Sequence, residues 1–239
     1  MNNLKNIKIV IGISYILIIL IFLWFFFKYF SIEEFTSYQL IKENIEILIR
    51  IKQNNLLISG ILFVVFAIIW IFLLGFALPI FLFGGFLFGK WIGFLLVIFS
   101  LSFGATLFYI FANFFLKEII QNYLSSKYSY LILKFKKNEF LYFLVYRFVG
   151  GIPFFISNLI PVLFNVKVRN FFFGSLIGMS PQIFVATSFA AGLEKVLTEN
   201  IEPPTFFEIL FVPDIYIPLI GFFILLIISL IIKKFYNRY

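Results

Sequence analysis

The sequence predicts an all-α polytopic membrane protein with about four transmembrane helices and two opposed re-entrant helical hairpins forming an inverted repeat. Three observations predict it. The 239 residues are 63% apolar, include 39 Phe and are only 13% charged, against ~25% charged in a soluble domain. Uncharged runs span Ile9–Phe27, Leu56–Gly89, Trp91–Leu116, Asn170–Leu193 and Ile215–Ile232, and ~18 or more such residues suffice for a helix to cross the hydrocarbon. Two apolar stretches have lengths that fit neither one crossing nor two, and both are broken by Pro and Gly.

The elements follow in chain order. Lys5 and Lys8 precede the first run. The pattern resembles a signal peptide, but the apolar stretch is long and no small-x-small site follows Phe27, so an uncleaved anchor is expected. Region 1–55 is read as this anchor plus an extracytoplasmic segment. Leu56–Gly89 has 34 residues, ~51 Å of helix, too long for one crossing and short for two. Gly75, Pro79, Gly84, Gly85 and Gly89 interrupt it, which suits two half-helices turning back to the face they came from. Gly93–Leu116 follows as a span. Residues 117–139 form a basic linker. Phe140–Val166, with Gly150, Gly151, Pro153, Pro161 and a lone Arg147, repeats the hairpin problem, and 170–193 is the next span. Core region 56–195 therefore divides into hairpin-span units 56–116 and 140–193. Region 196–239 holds an acidic outer loop, a last span and a basic tail.

Charge placement supports this count. With both hairpins re-entrant, Lys5, Lys8, Lys117, Lys127, Lys134, Lys136, Lys137, Lys167, Arg169, Lys233, Lys234 and Arg238 fall on one side, against only Glu118 and Glu139. Glu194, Glu199, Glu202, Glu208 and Asp214 fall on the other, with one Lys195. That is the cytoplasmic excess of basic residues expected of an inner or plasma membrane protein with both termini inside. The net charge of +8 is read as this bias, and no nucleic-acid partner is expected. The chain has no Cys and no His, which removes disulfides, thiolate ligands, imidazole acid–base groups and Ser-His pairs. No enzyme, cofactor or metal site is expected.

The two units can be superposed. Pro79 is followed by Gly104 at the same offset that separates Pro153 from Gly178, and Gly84 matches Asn158. One unit starts outside and the other inside, so they would be inverted copies, an architecture that places ligand sites at the repeat interface.

Tyr146–Gly192 carries Arg147, Ile152-Pro153-Phe154, Asn158 and Gly174-Ser175-Leu176-Ile177-Gly178-x-x-Pro181. It resembles the second half of the VTT (SNARE-associated Golgi protein) domain of the DedA superfamily. Leu78-Pro79, Gly84-Gly85-x-x-x-Gly89-x-x-x-Gly93 and Gly104-Ala105-Thr106 resemble its first half. The likeness covers roughly 60–195. It implies two opposed re-entrant hairpins and a role in moving or scrambling lipids, polyprenyl-phosphate carriers included. The chain departs from the family at Gly150, where several members have Pro, and in Tyr109–Asn113, where many have a basic residue. No carboxylate lies between Ile47 and Lys117 or between Phe140 and Leu193, so no intramembrane acid is available for proton coupling.

Each candidate residue has a functional and a structural reading. Arg147 is costly inside a bilayer and its fork suits phosphate; it also could snorkel to the interface or cap broken-helix carbonyls. Pro79 and Pro153 mark the tips, where new helix N-termini favour an anion or where Pro simply makes the turn. Asn158 and Gln182, with Ser157 and Thr187, line a headgroup path or bridge helices. Gly84, Gly89, Gly93, Gly104, Gly174 and Gly178 are read as helix-packing positions. The expected function is a lipid transporter or scramblase for phospholipid or polyprenyl-phosphate headgroups. The rival is a non-transporting scaffold or assembly factor. Membrane lipids are the expected partners, and homo-oligomerisation is left open.

Overall fold

The computed structural model describes residues 2–29, 55–124, 128–199, 205, 207 and 210–236. Segment 30–54, Lys127, and the acidic positions Glu202 and Glu208 lie outside the described residues, as does Arg238. Among the described residues the elements are helices: α1 (Asn2–Tyr29), α2 (Leu56–Leu74), α3 (Leu78–Leu124), α4 (Ser129–Lys137), α5 (Glu139–Val149), α6 (Phe154–Phe164), α7 (Val168–Gly178), α8 (Ser180–Glu199) and α9 (Pro213–Tyr236). Among the described residues, helices α2 and α3 are long and apolar enough to cross a membrane, and α7 with α8, bent by 46°, have the length and composition of a third if the pair is one broken span. Large apolar side chains such as Leu57, Leu62, Leu95, Ile217 and Phe223 stand exposed on the outside. A soluble protein does not present that surface, so the chain is a multi-pass membrane protein.

The helix breaks fall where the residues permit them. Asn55 caps α2 by accepting from the Ile58 N–H at 3.3 Å, and Gly75 ends it in the left-handed region at φ 69°. Pro79 sits in the first turn of α3, where its missing N–H costs nothing. Within α3 the backbone leaves the helix at Gly89, φ 74° and ψ 179°, dividing α3 into a short arm, 78–88, and a long arm, 90–124. In the second unit Gly150 and Gly151 have φ 63° and 79°, and Asn165, at φ 48°, ends α6.

Contacts fix the helix directions. A Cβ on Gly60 would lie 3.6 Å from Leu96, and one on Gly104 would lie 2.9 Å from the Cβ of Ile71. Helix α2 and the long arm of α3 therefore run parallel, with the short arm returning between them; Phe63 meets Phe88 at 5.4 Å. The second unit repeats this order. Glu139 reaches Lys167 and Asn170, Gly174 abuts Phe143 and Gly178 abuts Arg147, so α5 and α7 are parallel and α6 returns. The two units oppose each other. Phe94 meets Phe184 at 5.6 Å, while Tyr109 stacks on Phe171 at 4.4 Å, making the long arm of α3 antiparallel to α7 and α8.

Two expectations are corrected. The first hairpin is not built of two half-helices. Its outgoing arm, α2, has 19 residues, ~28 Å, because nothing in that uncharged run breaks a helix before Gly75. Gly89 is not a packing position either. A Cβ there would meet nothing within 4 Å, and the glycine serves the positive φ that turns the chain.

Candidate functional site

Arg147 stands near the end of α5, eight residues in from Glu139, which places it ~12 Å along the helix. It is 3% exposed. Its Nη1 donates to Ser157 Oγ at 2.9 Å and its Nη2 to Asn158 Oδ1 at 2.6 Å. Both partners lie on the returning helix α6 and both are neutral. The Phe171, Phe143 and Phe154 rings stand 4.9, 5.2 and 5.9 Å from the guanidinium carbon, so part of the charge rests on aromatic faces. The Arg147 Nε and the Asn158 Nδ2 have no hydrogen-bond partner. Among the described residues the group is thus held by neutral acceptors and aromatic faces with no carboxylate paired to it, and these two buried donor atoms find no partner.

Beside it lies a cavity of ≈ 90 Å³ lined by Tyr146, Arg147, Gly150, Gly151, Ile152, Phe154, Ser157, Met179 and Gln182. That is room for about three waters at their liquid density. Gly151 and Ile152, in the exposed turn between α5 and α6, form its outer edge.

Broken helices leave carbonyls without partners, which is costly in lipid. Here side chains from other elements supply the donors. Gln182 Nε2 donates to the Arg147 carbonyl at 3.0 Å and also to the Phe148 carbonyl. Tyr109 Oη donates to Val166 O at 2.6 Å across the two units. At the first tip Tyr15 of α1 donates to Phe72 O at 2.7 Å and Trp70 Nε1 to Phe76 O at 2.9 Å. Phe155, the second residue of α6, packs against Gly75 at the first tip, bringing the two breaks together.

A model of the VTT domain matches residues 57–192, more than half of the chain and the same stretch that holds both hairpins. The chain belongs to the VTT domain family, within the DedA superfamily. Transmembrane protein 41 homolog from Dictyostelium discoideum is 30% identical over 148 residues, covering 59% of this chain and 42% of that relative. The chain therefore spans less than half of the relative's length. No solved structure matches.

Within the VTT core, Arg147 and Gln182 line the cavity, the latter with its amide nitrogen occupied by α5 carbonyls, while Asn158 is buried behind it and holds Arg147. Pro153 is the exposed N-cap of α6 next to the cavity edge, and its carbonyl accepts from Ser157 N–H at 2.9 Å. Pro79 is at the other tip and does not line the cavity. Thr187 bonds back to Ile183 O within its own helix. Gly84 and Gly93 abut each other, with Gly84 also against Val97 and Phe63. The roles of Tyr15, Trp70 and Tyr109 were not legible in the sequence. Tyr15 and Tyr109 reach distant chain segments, Trp70 reaches back to the turn that follows its own helix, and no local pattern marks any of them.

Proposed function

We propose that this VTT protein moves phosphate-bearing lipid headgroups across the bilayer as a scramblase-like transporter, with the acyl chains remaining in lipid. In this reading both hairpins are re-entrant, four spans surround them, and the end bearing Lys117, Lys134–Lys137 and Lys167 faces the cytoplasm. The observation that carries it is Arg147: a buried cation that, among the described residues, is bonded to neutral acceptors and lines a small cavity in the broken-helix region. A membrane protein bears the insertion cost of such a group, ~2.5–3.5 kcal/mol, where the charge has work to do.

The chemistry follows from the donor geometry. A phosphate oxygen entering past Ile152 meets the guanidinium of Arg147 where that side chain lines the cavity. The surrounding aromatic rings lower the local polarity and strengthen the attraction. Ser157 and Asn158 keep the fork aligned, so little ordering remains to be done when the anion arrives. Release is eased because the neutral acceptors continue to satisfy Nη1 and Nη2. With no carboxylate in either hairpin, movement down a gradient fits better than proton-driven transport.

The test is fluorescent-phospholipid translocation in proteoliposomes. Arg147→Ala should slow it about tenfold or more, the worth of a charge-assisted hydrogen bond, with Arg147→Lys intermediate. An unchanged rate in a well-folded Arg147→Ala protein refutes the role. The scaffold reading is favoured by one observation, the tight seam where Gly85 of α3 meets the Thr187 backbone of α8. It predicts no translocation by the unmodified protein.

A further inference from the structure

We infer that α4 is a membrane-surface helix that binds anionic lipid headgroups at the basic end of the bundle. Its sequence, Ser129–Lys137, reads SYLILKFKK with no acidic residue. At nine residues it is ~13 Å long, too short to span. Ile132 and Phe135 face the protein. Phe135 stacks on Phe164 of α6 at 4.5 Å and lies 6.1 Å from Tyr142 of α5.

The outward side combines two chemistries. Tyr130, Leu131 and Leu133 are 72%, 49% and 67% exposed, and Lys134, Lys136 and Lys137 are exposed alongside them. A water-facing helix has no reason to present the first set, and a helix in hydrocarbon has none to present the second. The boundary of a leaflet satisfies both, with the apolar groups dipping in and the lysine stems reaching headgroups. Lys167 and Arg169, also exposed, stand at the same end. Of the acids there, Glu139 is engaged by the Lys167 N–H and Asn170, and Glu118 is on α3. An acidic peptide would answer the lysines but leave Tyr130 and Leu133 unexplained, so an anionic leaflet is the occupant. Helix α4 joins α5 through Asn138 alone, and stacks on α6, so lipid held there anchors the base of the hairpin that carries Arg147. The inference does not depend on lipid translocation.

The chain has no cysteine, so Leu133→Cys can carry a single bimane label in proteoliposomes. Brominated phosphatidylglycerol should quench it about twofold or more better than brominated phosphatidylcholine at equal mole fraction. The preference should fall as salt is raised and vanish in K134Q/K136Q/K137Q. A label at Leu95→Cys, exposed on the lipid-facing side of α3, should show no preference in either background, and its unchanged quenching reports an intact bundle. Equal quenching at 133 by both lipids, or a preference independent of salt, overturns the inference. So does readier quenching of that label by aqueous iodide than by either lipid.

Discussion

Arg147 is where a functional and a structural account part most sharply. Its two bonds go to neutral groups, and such contacts between helices in membranes are worth about 0.6 kcal/mol on average. The cost of burying the charge is several times larger. Arg147→Met should therefore leave stability unchanged or raise it by about 1–2 kcal/mol, measured by reversible unfolding in micelles or bilayer discs, while slowing translocation about tenfold or more. A destabilisation of more than about 1 kcal/mol would mean the arginine serves the fold. Gln182 and Tyr109 should behave in the opposite way. Gln182→Leu strips the donor from two carbonyls at the end of α5 and Tyr109→Phe strips one from Val166. Each should cost about 1–2 kcal/mol in the same unfolding measurement.

At the scale of elements, the equal Pro–Gly offsets have a packing meaning. Gly104 seats the last turn of α2 at Ile68 and Ile71, and Gly178 seats the last turn of α5 at Leu144 and Arg147. Ile71 and Arg147 thus occupy equivalent places in the two units, and only one unit carries a charge there. The glycines divide by mechanism. A Cβ on Gly85 would collide with the Thr187 carbonyl of α8, whereas one on Gly221 would meet nothing within 4 Å. Gly85→Ala should cost about 1–3 kcal/mol, and Gly221→Ala should be neutral or stabilise by up to about 1 kcal/mol, both read as shifts in thermal unfolding. The sequence made the breaks legible because Pro and Gly act locally: Gly75, Gly89, Gly150 and the turn before Phe154 are chain interruptions in the structure. It did not reveal the length of α2, since an apolar run without punctuation carries no sign of where it turns. Nor did it reveal the donors at the breaks. Tyr15 and Phe72 lie 57 residues apart, as do Tyr109 and Val166, and pairing over such distances is set by packing.

For the whole molecule, the account rests on chain direction. Parallel α2 and long-arm α3, parallel α5 and α7, and an antiparallel relation between the pairs place the bases of the two hairpins at opposite ends of the bundle. The base of the second gathers Lys134, Lys136, Lys137, Lys167 and Arg169. Of the candidate site, the cation, Asn158 and Gln182 were legible because charged and amide groups are rare in apolar runs; that Asn158 and Gln182 both bond Arg147 follows only from how the helices fold back on one another. The most direct measurement is single-cysteine labelling of sealed, oriented vesicles with an impermeant maleimide, at Lys137 and Arg169 for the second hairpin and at Asn55 and Trp91 for the first. The account predicts that 137 and 169 label from one side and that 55 and 91 label from the other. Labelling of 137 and 169 from opposite sides would contradict it.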